Sequence, residues 1–322
     1  MATADQLKSL IRSHFSDEPE RFFTIALQVA AHEAKKGNSA LAHEIREIVD
    51  KARREKRPQL LKFPQDLSGL FISETPDTPK SALVLPPALK DRIERIIHEY
   101  RQQNKLKSHG LSHRRKIMLV GPPGTGKTMT ARILAHELKL NLYTVQVDKL
   151  VTKFMGETSA KLRQIFEVIQ QENGVYLFDE FDAIGGERSL GNDVGEMRRV
   201  LNSFLQFIEN DRSDNLIIVA TNNPSLLDRA LYRRFDDVLH YALPAIDERK
   251  RLIKNLLGTY ITTRFPIEKA AKESDGLSQS EIDRACRDAV KLAILESKKS
   301  LSYTAFKKLI EERHAAYRGK GD

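Results

Sequence analysis

Apolar side chains recur at helical spacing over residues 4–14, 18–36 and 39–56, with Gly37-Asn38 as a stop signal between the last two segments. This pattern predicts a small helical bundle over residues 1–57. Residues 57–87 then hold six of the chain's twelve prolines, which predicts a linker wrapped over the following unit rather than regular structure. Beyond it lie three short, unbroken apolar runs, Lys116-Ile-Met-Leu-Val120, Val175-Tyr-Leu-Phe178 and Leu216-Ile-Ile-Val-Ala220. Each suits a strand covered on both faces. A further strand is expected over 141–147 and helices over 129–139 and 158–170. After Asp247 the pattern is helical again, over 248–259, 280–299 and 303–317. The alternation predicts an α/β core over residues 88–245, a parallel sheet with helices on both faces, followed by a helical unit over 246–322.

The turn after the first run, Gly121-Pro122-Pro123-Gly124-Thr125-Gly126-Lys127-Thr128, has the G-x-x-x-x-G-K-T spacing. That spacing sets successive backbone N–H groups around a phosphate chain. Gly121, Gly124 and Gly126 let the backbone turn and approach a ligand closely. Lys127 is expected to reach the β- and γ-phosphates and the Thr128 hydroxyl to ligate Mg²⁺, with Met129 completing the binding segment. The second run ends in Asp179-Glu180. Ligands of open parallel sheets sit beyond the carboxyl ends of the strands, so both carboxylates are expected to face a triphosphate. Asp179 is expected to hold Mg²⁺ through water, and Glu180 to polarise the attacking water. No catalytic role is expected for Asp182. The third run ends in Thr221-Asn222-Asn223-Pro224.

The segments GPPGTGKT, FDEFD and VATNNP, in that order, resemble the AAA+ ATPases and within them the AAA family proper, which includes the membrane-protease ATPases and the katanin, spastin and vacuolar-sorting enzymes. The resemblance covers residues 110–312. It implies a P-loop NTPase fold, Mg-dependent hydrolysis of ATP to ADP and phosphate, and assembly into a hexameric ring. It also makes Asn222 the sensor that orients the water and reads the γ-phosphate. Leu227-Asp-Arg-Ala-Leu-Tyr-Arg-Arg-Phe235 is similar to the family's arginine-finger segment, so Arg233 and Arg234 are expected to act in a neighbouring subunit's site. A guanidinium keeps its charge and presents a planar fork of donors to a developing phosphate charge.

Lys153-Phe154-Met155-Gly156 resembles the family's aromatic-hydrophobic-Gly loop, which lines the central pore and grips polypeptide. Residues 185–195 occupy the position of a second pore loop. Residues 246–322 look like the family's helical lid, and Gly276-Leu-Ser-Gln-Ser-Glu281 resembles its sensor-2 region, which in this clade lays backbone against the nucleotide. Ser278-x-x-Glu281 also reads as a capping box. The glycine-containing segment that usually precedes the first core helix is not recognisable, which leaves the adenine contacts unassigned.

Composition narrows the setting. The chain has 322 residues, 40% of them hydrophobic, which is enough for packed cores. Cys286 is its only cysteine, so no internal disulfide forms and a reducing, cytoplasmic setting is expected. No apolar run reaches the ~18 residues of a membrane span, and the first residues lack the apolar stretch of a signal peptide. Four His-Glu dipeptides, at His32, His43, His98 and His136, never continue to H-E-x-x-H, so no fused zinc protease is present. The net charge of +9, concentrated between Lys90 and Lys116, fits a nucleic-acid partner, a solvated face or an acidic protein partner.

Two classes of function follow. The leading one is an ATP-driven protein remodeller or unfoldase, a ring that pulls polypeptide through Phe154 and Met155 while residues 1–57 choose the client. The alternative is a nucleic-acid-associated ATPase, such as a helicase loader or a defence or transposition regulator. A weaker third is an ATP-dependent regulatory partner of a separately encoded protease.

Overall fold

The computed structural model describes residues 8, 19–56, 67, 69–153, 157–185, 193–223, 229–298 and 300–318. They belong to two compact units, Met1–Leu61 and Lys62–Asp322. In the first, helices α1 (Pro19–Lys35) and α2 (Ser39–Lys56) pack through Phe22, Ala26, Leu27, Ile45 and Val49. Gly37 makes the turn between them at φ 90°, and the Asn38 side chain donates to Glu33 Oε2 at 2.7 Å. The helix expected over residues 4–14 lies outside the described residues apart from Lys8.

The second unit is built on a six-stranded sheet: β1 (Phe71–Glu74), β2 (Lys116–Val120), β3 (Leu142–Gln146), β4 (Val175–Asp179), β5 (Leu216–Thr221) and β6 (Asp237–His240). Its order is β1-β3-β4-β5-β2-β6, parallel throughout except for β1, which runs antiparallel to β3 with Phe71 opposite Val145. The chain is therefore an α/β protein with a mostly parallel sheet. β1 corrects the expectation for residues 57–87, which are not free of regular structure. Four residues form an edge strand there because Phe71 and the neighbouring Leu70 are buried, while only one partner is needed.

The unbroken apolar runs are explained by covering on both faces. Ile117, Leu119, Val175, Leu177, Ile218 and Ala220 share one core with helices α3 (Pro87–Arg101) and α5 (Lys127–Leu138). The alternate residues Met118, Tyr176, Phe178 and Val219 are equally buried on the opposite face. There Phe178 meets Phe166 at 6.0 Å and Phe204 at 5.2 Å between ring centroids. Those two rings come from helices α7 (Thr158–Gln171) and α9 (Asp193–Asn210), with α4 (Gln103–Ser108), α6 (Val147–Lys153) and α8 (Asp182–Gly185) completing the order to this point. Phe204 also touches Phe181 at 4.5 Å, directly after the carboxylates that end β4. Phe204→Ala is expected to cost about 3–5 kcal/mol and to lower the melting temperature by about 10 °C. Circular dichroism on heating checks this, and an unchanged transition contradicts it.

After the short α10 (Arg229–Tyr232) and β6, four helices follow: α11 (Ile246–Leu257), α12 (Ile267–Glu273), α13 (Gln279–Leu295) and α14 (Tyr303–Arg318). Ile253, Leu257, Ala270, Ile282, Ala285, Cys286, Phe306 and Ile310 form their shared core, which also takes in Val84. α12 was not expected from the sequence. It is only seven residues long and its buried face is just Ala270 and Ala271. Of the expected capping box one half is seen, with Glu281 N–H donating to Ser278 Oγ at 3.3 Å at the start of α13, while the Ser278 hydroxyl donates to Glu281 Oε2 at 3.2 Å. Among the described residues no helix is long and apolar enough to cross a membrane.

Candidate functional site

The phosphate loop leaves β2 and enters α5 at the carboxyl edge of the sheet. Gly124 and Gly126 have φ of 74° and 99°, values that side chains rarely adopt. A Cβ on Gly124 would also lie 2.2 Å from Ser280 Oγ, and one on Gly126 would lie 2.7 Å from Leu83 Cδ1. The left-handed backbone favours glycine at both positions, where the loop passes between the start of α13 and the segment before α3. Thr125 is buried and its hydroxyl donates to Pro122 O at 2.7 Å, which closes the turn.

Lys127 folds back over this loop. Its Nζ donates to Gly121 O at 2.7 Å, Pro122 O at 2.8 Å and Asn222 Oδ1 at 2.7 Å. Burial pushes the ammonium pKa below its ordinary value, and Asp179 and Asp182 pull it back up. Thr128 Oγ1 donates to Asp179 Oδ2 at 2.7 Å, while Asp179 Oδ1 accepts from Glu180 N–H at 2.9 Å. Glu180 stands exposed at φ 51°, a left-handed turn unusual outside glycine. Two anchors hold that turn: Phe181 N–H donates to Ala220 O at 2.9 Å, and the Phe181 ring is seated on Phe204.

Lys127, Thr128, Asp179, Glu180 and Asn222 thus converge from three elements onto one cleft of about 410 Å³. Pro123, Gly124, Gly126 and Met129 line it as well. Thr128 and Asp179 fit a Mg²⁺ site, since Mg²⁺ is commonly held by one or two protein oxygens with phosphates and water supplying the rest.

The expected site residues divide. Arg233 is exposed, and Arg234 is half-buried with its Nε donating to Glu209 Oε2 at 3.1 Å. Neither lines the cleft. Lys153 ends α6, whereas Phe154, Met155 and Gly156 lie outside the described residues, as do residues 186–192 of the other loop.

Other cleft residues carried no signal in the sequence. Ala82, Leu83 and Val84 before α3 line the cleft with Leu252 and Leu256 of α11, and Val84, Leu252 and Leu256 belong to one cluster that gives it an apolar patch. Scattered apolar residues have no motif, and only the fold gathers them. Asp182 is not part of the cleft lining but braces it: its Oδ1 accepts from Asn222 N–H and from Thr221 Oγ1, both at 3.2 Å. It holds the Asn222 loop against the turn that carries Glu180.

A loop of this geometry on a mostly parallel sheet defines a P-loop nucleotide-binding protein. The family model described as "ATPase family associated with various cellular activities (AAA)" matches residues 117–243. An "Uncharacterized AAA family ATPase y4kL" of Sinorhizobium fredii is 33% identical over 318 residues, 97% of this chain and 96% of its own length. A proteasome-activating nucleotidase of Methanosphaerula palustris is 31% identical over 236 residues, 68% of this chain and 57% of its own. A putative 26S proteasome regulatory subunit homolog of Methanothermobacter thermautotrophicus is 32% identical over 204 residues, 62% and 55% of the two chains. The chain belongs to the AAA ATPase family, and it binds and hydrolyses ATP.

Proposed function

We propose that this ATPase is a polypeptide remodeller that works as a homo-oligomeric ring, a hexamer, with Mg²⁺ as its cofactor. The observation that carries the ring is the division of the site. Phosphate-binding and water-activating groups share one cleft, while Arg233 and Arg234 lie outside it. An arginine that cannot reach its own cleft can serve a neighbour's. Polypeptide as the client is supported by similarity to proteins named as proteasome-activating nucleotidases. In this reading residues 1–57 bind a client or partner protein, 58–87 link them to the core at 88–245, and 246–322 form the lid.

Within a protomer the chemistry is divided among the cleft residues. The three acceptors that hold Lys127 Nζ give way to the β- and γ-phosphates, so nucleotide binding replaces internal hydrogen bonds with charge-assisted ones. Thr128 and Asp179 would hold Mg²⁺, which neutralises phosphate charge. Glu180 orients a water and accepts its proton as the oxygen attacks the γ-phosphorus, while the bond from that phosphorus to the β,γ-bridging oxygen breaks and ADP leaves. Asn222, fixed by Asp182, fixes the water and the γ-phosphate, and the apolar patch of Val84, Leu252 and Leu256 takes the adenine.

The charge distribution favours protein over nucleic acid. Five of the nine Lys and Arg residues from Lys90 to Lys116 are paired within the chain: Arg92 with Asp237, Arg114 with Glu99, Arg115 with Asp211, Arg101 with Glu137 at 3.2 Å and Lys107 with Asp214 at 2.5 Å. Cations already paired offer phosphates little net attraction. Unfolded polypeptide is therefore expected to stimulate ATP turnover severalfold, and DNA and RNA are not. In Phe154→Ala the stimulation should vanish while turnover without client persists. Stimulation by nucleic acid alone, or full stimulation of Phe154→Ala by polypeptide, would overturn this reading.

A further inference from the structure

One wall of the nucleotide cleft belongs to neither the phosphate loop nor the strand ends. α13 supplies it, and Gln279, Asp283 and Arg287, which recur at every fourth position on one helical face, all line the cleft. Similarity to the family leads one to expect backbone alone here. Gln279 is only 7% exposed, yet its side-chain oxygen has no hydrogen-bond partner among the described residues. A buried carbonyl left unpaired is costly, and a donor from a bound molecule removes that cost. One turn further on, Asp283 Oδ2 accepts from Arg287 Nε at 2.7 Å. That pairing offsets the carboxylate's charge beside a polyanionic ligand, and a carboxylate has about four lone-pair sites, so one N–H does not saturate it.

The position of these acceptors narrows what they read. The stripe begins at the phosphate loop, where Ser280 N–H donates to Gly124 O at 3.0 Å. Elsewhere the lining includes Val84, Leu252 and Leu256, which belong to one apolar cluster and suit a base. The stretch between phosphates and base is where a nucleotide carries its sugar. ATP's hydrogen-bond donors are the base amine and the two ribose hydroxyls, and only the hydroxyls lie in that stretch.

We propose that Gln279 and Asp283 recognise the ribose hydroxyls of the bound nucleotide, so that the enzyme selects ribonucleoside over deoxyribonucleoside triphosphates. The proposal rests on the assignment of this cleft as the ATP site. It adds a sugar-reading element to the lid, and it ties lid position to the occupied cleft through side chains rather than backbone alone.

The test is equilibrium binding of ATP, 2′-deoxy-ATP and 3′-deoxy-ATP to the full chain by calorimetry, for wild type, Gln279→Ala, Asp283→Ala and Lys127→Ala. Wild type should bind the deoxy analogues more weakly. The loss should be about two- to tenfold for a hydrogen bond to the Gln279 carboxamide and about ten- to a hundredfold for one to the Asp283 carboxylate. Gln279→Ala and Asp283→Ala should each narrow the gap between ATP and one analogue. Equal binding of all three nucleotides by wild type overturns the proposal without recourse to any variant, as does a gap left intact in both lid variants. Undiminished ATP binding by Lys127→Ala would instead overturn the cleft assignment itself.

Discussion

Arg233→Ala/Arg234→Ala protein should assemble normally and hydrolyse ATP about 10³- to 10⁵-fold more slowly than wild type, the range lost when an arginine finger is removed. The argument is geometric. The two side chains follow α10 and do not line their own protomer's cleft, so their contact with a γ-phosphate is expected across a subunit boundary. The same reasoning makes activity per protomer rise with protein concentration until the ring is complete, as any assembly-dependent property must. Steady-state turnover over a dilution series checks this. Activity per protomer that stays constant down to the monomer would contradict a site completed in trans.

Glu180→Gln should bind ATP as tightly as wild type and turn it over about 10²- to 10⁴-fold more slowly, the contribution usual for a positioned general base. Glutamine keeps the shape of the side chain but cannot take the proton from water. The left-handed turn at φ 51° and the Phe181 anchor depend on backbone and packing, so they survive the change. Lys127→Ala should separate cleanly from it by losing nucleotide affinity, because its ammonium meets the phosphates and has no part in activating water. Calorimetric titration paired with a phosphate-release assay distinguishes the two variants. Near-normal hydrolysis by Glu180→Gln would move the catalytic carboxylate elsewhere.

The parts of this site that were legible in the sequence are those whose chemistry demands a fixed spacing. A phosphate loop needs its glycines, lysine and threonine in order, and a buried parallel strand needs an unbroken apolar run. The loop, β2 and the Asp179-Glu180 pair could therefore be read directly, and β2 has the expected bounds, Lys116–Val120. What escaped is formed by contact across long separations. β1 is a four-residue edge strand that takes its register from β3, far along the chain, and the prolines around it argued for irregular structure. The apolar patch joins Val84 to Leu252 and Leu256, residues with no shared pattern. Asp182 was expected to have no catalytic role. Its function as a brace for Asn222 exists only because β4 and β5 are neighbours in the sheet. Gln279 sat within a helix-capping sequence, where a polar residue needs no ligand to explain it.

The central claim is that one protomer's arginines complete another protomer's cleft, and mixing two inactive proteins tests it most directly. Glu180→Gln retains Arg233 and Arg234, while Arg233→Ala/Arg234→Ala retains Glu180. At interfaces where the first supplies the arginines and the second supplies the cleft, every catalytic group is present. The expected result is ATP turnover by the mixture well above the sum of the two proteins assayed apart. Co-assembly verified by a tag on one protein, with turnover no greater than that sum, would contradict the account.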